Sequence, residues 1–141
     1  MAKNYKIVFY KTSSGKEIIT DFIDSFSNKI VYKIKSDIRL LEEHGLLLLS
    51  TSKVKKIIGL SNLYELRTKS SVQIRLFFAY VSPNIILIIN GFVKKTNKTP
   101  DKEIQLAVKR IKEFDIWLFY IYTNFVIFIT YEKYQRFDNL E

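Results

Sequence analysis

The sequence predicts an α+β domain: a strand and a two-helix hairpin, then three neighbouring strands that feed a C-terminal helix. Three observations lead there. Apolar residues recur at three- and four-residue spacing across 18–41. Period-two alternation takes over in 63–67 and 73–80. A run apolar on both faces, 85–89, is followed by Thr99-Pro100, a pairing that suits a helix start.

In chain order, Lys6-Ile7-Val8-Phe9-Tyr10 is β-branched and aromatic and reads as a strand. Thr12-Ser13-Ser14-Gly15 breaks it. Ser14 and Glu17 stand at capping-box spacing, so the serine oxygen is expected to take a free amide of the first helical turn. Ile18, Ile19, Phe22, Ile23 and Phe26 then share one helical face. After Ser27-Asn28 a second helix is predicted from about 29 to 44, with Val31, Ile34, Ile38 and Leu41 inward and Gly45 as its stop. The short connection predicts an antiparallel helix pair. Leu46-Leu47-Leu48-Leu49 is too short to span a membrane; it either covers the sheet or forms an outward apolar patch.

Residues 53–59 lead into the first strand of the central sheet. Alternation puts Leu63, Glu65 and Arg67 on one face, opposite Tyr64 and Leu66. In the next strand Arg75, Phe77, Ala79 and Val81 oppose Ile74, Leu76, Phe78 and Tyr80. Ser82-Pro83-Asn84 is a turn. The doubly apolar run 85–89 is expected to be the central strand. Thr99 is the expected N-cap of the last helix, Asp101 and Glu103 suit its positive end, and Ile104, Ala107, Val108 and Ile111 form its buried stripe.

The 141 residues allow one domain with a modest core, and a 48% hydrophobic, 15% aromatic composition is that of a globular chain. The absence of cysteine excludes disulfides and thiolate metal sites. A lone histidine, His44, excludes a multi-histidine centre; at a helix end it is expected to face the dipole. No apolar h-region follows the first residues, which points to the cytoplasm. The net charge of +9 is concentrated: residues 53–112 hold 13 Lys and Arg against three acids, Glu65, Asp101 and Glu103. Such a concentration suits a polyanionic partner, be it nucleic acid, membrane surface or acidic protein; a plain solvated lysine surface is the bland alternative.

Arg67, Arg75 and Lys94 sit within or at the ends of strands, where apolar residues should dominate. Adjacent strands lie about 5 Å apart, so these side chains could reach one phosphate if they share a face. Arginine offers phosphate oxygens a planar donor fork. RNA cleaves itself when its 2′-hydroxyl is deprotonated, the phosphorane charge is stabilised and the leaving 5′-oxygen is protonated, with no metal or other cofactor. A lysine crowded by cations gives up its proton more readily, so Lys55, Lys56 or Lys94 could act as base or acid. Phe92 could stack on a base, and Lys53, Lys55, Lys56, Lys95 and Lys98 could hold the RNA backbone. Against this stands a structural alternative. Arg67 and Arg75 could pair with Glu65 or Asp101 on a wet sheet face, and Lys94-Lys95 could be strand-end solubilisers.

Leu63-Tyr64-Glu65-Leu66-Arg67, Arg75 with Phe77-Phe78, and above all Gly91-Phe-Val-Lys-Lys-Thr-Asn-Lys-Thr-Pro-Asp-Lys-Glu-Ile104 resemble the RelE/HigB superfamily of toxins, closest to the phage-derived HigB-like branch of type II toxin–antitoxin systems. The resemblance spans roughly 5–114. It implies a RelE-like toxin domain over 1–114: a small twisted, mainly antiparallel sheet, two helices on one side and a C-terminal helix. It also implies a ribosome-dependent mRNA endoribonuclease working in the ribosomal A site and neutralised by a cognate antitoxin, often of helix-turn-helix type. By position, Arg67 and Arg75 match the family's phosphate-contacting arginines. Lys94 matches a basic residue near the end of the last strand, and Lys55 and Lys56 its basic loop. The identity of the base stays open, and Phe92 occupies the neighbourhood where some relatives use a tyrosine. A ParE-like gyrase inhibitor acting by binding, and an inactive antitoxin-binding remnant, are the alternatives.

Residues 115–141 are a hydrophobic C-terminal extension past the point where such toxins usually stop. The 16 nearly all-apolar residues 116–131 fall short of a bilayer span of about 20. The extension is expected to pack on the domain, ahead of membrane contact or translation past a lost stop codon.

Overall fold

The computed structural model describes residues 5–115; the expectations for 116–141 lie outside the described residues. Strand β1 (Lys6–Phe9) leads into helices α1 (Ile18–Asp24) and α2 (Asn28–His44). A 3₁₀ turn (Gly45–Ser50) then precedes strands β2 (Val54–Lys56), β3 (Tyr64–Lys69), β4 (Gln73–Ser82) and β5 (Ile85–Lys94). Residues 101–115 form helix α3. One five-stranded sheet has the order β1-β5-β4-β3-β2, with β1 parallel to β5 and the remaining pairs antiparallel. The fold is α+β, as the hydrophobic periodicities require. No helix among the described residues is long and apolar enough to cross a membrane.

Each sheet face has its own core. On one, Ile19 and Ile23 of α1 and Ile34, Ile38 and Leu41 of α2 pack on Leu66, Ile74, Leu76, Phe78, Ile86 and Ile88. On the other, Ala107 of α3, with Ile104, Ile111 and Phe114 around it, packs on Leu63, Phe77, Ala79, Leu87, Ile89 and Phe92. A sheet covered on both faces needs strands apolar on both, which β4 and β5 are. The central strand is β4, not the 85–89 run expected there; β5 lies one place over, flanked by β1 and β4. The segment after Lys53 is a short edge strand of its own, β2.

A β-bulge sets the register of β5. Phe77 pairs with Asn90 but Phe78 pairs with Ile88, so Ile89 is an extra residue opposite β4. Before the bulge, Ile86 and Ile88 face the helix pair. After it the parity flips: Gly91 faces the pair and Phe92 faces α3. Gly91 is required there, because a Cβ would lie 2.5 Å from the Phe22 ring of α1. Gly45 ends α2 at φ 54°, as expected of a C-terminal glycine, with a Cβ position only 2.5 Å from the Tyr5 ring.

Two capping expectations fail. Helix α1 starts at Ile18 with Glu17 at its N-cap and no side-chain cap bond. The Ser14 hydroxyl is instead engaged with Thr12 Oγ1 at 2.9 Å, inside a turn closed by Gly15 N–H donating to Thr12 O. The helix also stops at Asp24, short of Phe26. Thr99 does not cap α3; its hydroxyl points to the sheet and donates to Glu65. Helix α3 is held at two places along its described length. Asn90 Nδ2 donates to Glu103 Oε2 at 3.1 Å. Farther along, Tyr10 Oη donates to Glu113 Oε2 at 2.7 Å, and Arg110 donates to Ile89 O while lying over the Tyr10 ring. The outward-patch reading of the four leucines holds for two of them: Leu47 and Leu49 are exposed, and Leu48 is buried.

Candidate RNA-binding site

The site lies on the α3 face of the sheet, where pairing sets the side chains in rows. Lys55 of β2 is opposite Glu65 of β3. One step along, Arg67 of β3 is opposite Arg75 of β4, and Arg75 is opposite Phe92 of β5. In the next row Lys69 is opposite Gln73, and Gln73 opposite Lys94. Alternation in β3 and β4 puts all of these on one face. In β5 the bulge brings Lys94 to that face.

Glu65 is at the middle and is fully buried. Its Oε1 accepts from Arg67 Nε at 2.9 Å, and Arg75 Nε makes an ion contact with the same oxygen at 3.0 Å. The Arg75 Nε–H is poorly aligned for a directed bond, while its Nη1 donates to Ile74 O at 3.0 Å. Oε2 accepts from Thr99 Oγ1 at 3.3 Å. Two guanidinium groups directly opposite each other would repel; the shared carboxylate is what lets them stand side by side. Arg75 is held below the usual arginine range, first by burial and also by Arg67, with Glu65 opposing. Lys94 is held below the usual lysine range, again first by burial. Glu65 pulls it back up, and Arg75, Arg67 and Lys55 push it down.

The structure therefore brings Arg67, Arg75, Lys94 and Lys55 together around one acid. It partitions the remaining sequence candidates differently. Lys53 is drawn to the helix side, its Nζ 2.8 Å from Asp37 of α2, whose other oxygen accepts from Thr68. Lys56 is exposed and pairs with Tyr64, on the face opposite Glu65. Lys95 and Lys98 are exposed on the loop before α3, Lys98 lying 3.5 Å from Asp101. Phe92 is buried, edge-on to Phe77 with ring centroids 5.1 Å apart, so its ring is a core contact and not a free stacking surface. The pairing alternative named Glu65 or Asp101 as acid partner; Glu65 takes both arginines, inside the protein and not on a wet face.

Sequence reasoning gave Thr99 a helix-capping role and Lys69 none. Lys69 is two residues beyond Arg67 on the same strand, so the alternation that placed Arg67 would also have found it. Thr99 reaches Glu65 across 34 residues of chain, and no local signal shows that.

No curated protein matches the chain. The family model for phage-derived protein Gp49-like (DUF891) matches residues 21–112, which takes in the second half of α1, all of α2, the whole basic cluster and most of α3. The chain thus belongs to the phage-derived Gp49-like family, a family associated with toxin–antitoxin systems.

Proposed function

We propose that this protein is the toxin of a type II toxin–antitoxin pair and cleaves mRNA on the ribosome by metal-independent attack of the RNA's own 2′-hydroxyl. The observation that carries this reading is the cluster itself: Arg67 and Arg75 opposed on neighbouring strands, with Lys94 and Lys55 in the same charge field and one carboxylate among them. A structural ion network would approach neutrality. Four cations around one acid leave net positive charge for an outside anion.

The roles follow from chemistry. Arg67 meets Glu65 through Nε, which leaves its terminal Nη donors for phosphate oxygens; its side chain is 23% exposed. Arg75, almost buried, supplies fixed positive charge as the phosphorane gains negative charge. Lys94 is partly exposed and holds its proton less tightly than an ordinary lysine. It is the group best suited to take the 2′-hydroxyl proton, with Lys55 across the cluster able to protonate the 5′-oxygen. A cognate antitoxin is the partner that the family implies.

Induced expression of the full chain tests this. Growth arrest with mRNA cut at ribosome-dependent positions is expected, and Arg67→Ala should abolish both while circular dichroism stays native. Full toxicity of both Arg67→Ala and Arg75→Ala would refute the site. Arrest with DNA damage and intact mRNA would indicate gyrase inhibition instead.

A further inference from the structure

We infer that Glu65 is the positioning residue of the basic cluster: its one carboxylate orients both arginine forks and ties them to the loop that enters α3. The inference deepens the nuclease reading and rests on it for the catalytic consequence, but the positioning itself can be tested without catalysis.

Three features carry it. Glu65 is a fully buried acid on the cationic face, and burying a carboxylate is costly unless donors satisfy it. Its two oxygens meet three groups from three parts of the chain: Arg67 on β3, Arg75 on β4 and Thr99 in the loop before α3. Both arginines meet it through Nε. Glu65 holds Arg67 by a directed bond and Arg75 by charge, beside that side chain's own Nη1 bond to Ile74 O, and the remaining Nη donors stay open to an anion, where a fork-to-fork pair would consume them. Glu65 is therefore not a competitor for the phosphate seat. It is the post from which the seat is hung, and removing it frees two arginine side chains that would otherwise enter the reaction already ordered.

A positioning role and a merely structural one make different forecasts. With Glu65→Gln, the two guanidinium groups lose their shared anchor and the carboxylate that favours charged Lys94 disappears. Cleavage should fall about a hundredfold, the scale of a misplacement of about 1 Å. Binding of a 2′-O-methyl RNA oligonucleotide, which cannot be cut, should change by no more than about threefold, because all four cations remain. The Lys94 side-chain amine, followed by ¹⁵N NMR, should titrate at lower pH than in the unsubstituted protein.

The first measurement needs no variant. In the full unsubstituted chain, the Nε–H signals of Arg67 and Arg75 should be dispersed and slow to exchange. If both resemble free arginine, the inference is overturned whether or not the protein cuts RNA. If they are ordered but nothing is cut, the nuclease reading fails and the positioning stands. If Glu65→Gln folds and leaves cleavage and the Lys94 titration unchanged, the inference is overturned with the nuclease reading intact.

Discussion

Arg67 and Arg75 face each other in the sheet yet differ in what they hold up. Arg67 is partly exposed and shares its acid, so Arg67→Ala should remove catalysis with a stability change of about 1 kcal/mol or less. The Arg75 side chain is 7% exposed, and its loss leaves buried Glu65 with one cation fewer. Arg75→Ala should cost about 3 kcal/mol, the low end for breaking a buried pair because Arg67 still compensates. Urea unfolding of the two variants side by side reads the contrast. Lys94 gives a pH signature. If it accepts the 2′-hydroxyl proton, single-turnover cleavage should rise with pH and level off below the ordinary lysine range, because burial and the cations around it favour its neutral form. Lys94→Arg should remove that limb, since arginine stays charged throughout. At this scale the sequence was partly legible. Alternation sorted the faces within each strand because parity is a local property, whereas the meeting of Arg67 and Arg75 on one face was a supposition, since it depends on the pairing between strands. The burial of Glu65 was not legible, because the cover comes from Thr99 and the α3 side, far along the chain.

Among the elements, the periodic helices and the strands were the most readable, since amphipathic spacing states which face is buried. Helix α2 ends where Gly45 predicts, and the two-helix hairpin forms. Capping was less readable: Ser14 and Thr99 have the right chemistry for caps, but a nearby threonine and a distant glutamate claim their hydroxyls. Strand β5 approaches α1 closely at Gly91. Gly91→Ala should destabilise by about 2 kcal/mol, because the new methyl meets the Phe22 ring at 2.5 Å and the Leu76 side chain at 2.8 Å and one of them must move. Thermal unfolding would register this. A smaller loss in Gly91→Ala combined with Phe22→Leu than in Gly91→Ala alone would identify that ring as the obstacle.

The whole molecule carries two forecasts. Its affinity for single-stranded RNA should be strongly salt-dependent. With about four phosphates neutralised, raising salt fourfold should weaken binding about fifty-fold; a flat response would exclude backbone contact by the cluster. Alkaline stability is the second. Burial pushes the Tyr80 hydroxyl up to about 12 from an ordinary 10.0, and Tyr10 is raised the same way, with Glu113 adding to it. The folded state thus holds these protons more tightly than the unfolded chain. Stability from this source is complete below pH 10 and drains away as pH climbs toward 12. Tyr80→Phe should flatten that decline in a pH series of unfolding curves. The fold class and the strength of the basic field could be read from patterning and charge. The central place of β4 could not, because strand order depends on which edge β1 joins, and β1 comes 79 residues before its partner in register, Lys6 beside Ile85.

The unpaired residue at Ile89 has a consequence of its own. Along β5 the chain counts out faces two by two, and this insertion offsets the count by one for everything downstream. Paired evenly past Ile88 with no residue removed, β5 would set Ile89 opposite Phe77 and turn Phe92 and Lys94 toward α1, away from the arginines. Such a bulge-free strand would leave the formal charge unchanged. It would still have an ammonium to offer, aimed at the wrong side of the sheet.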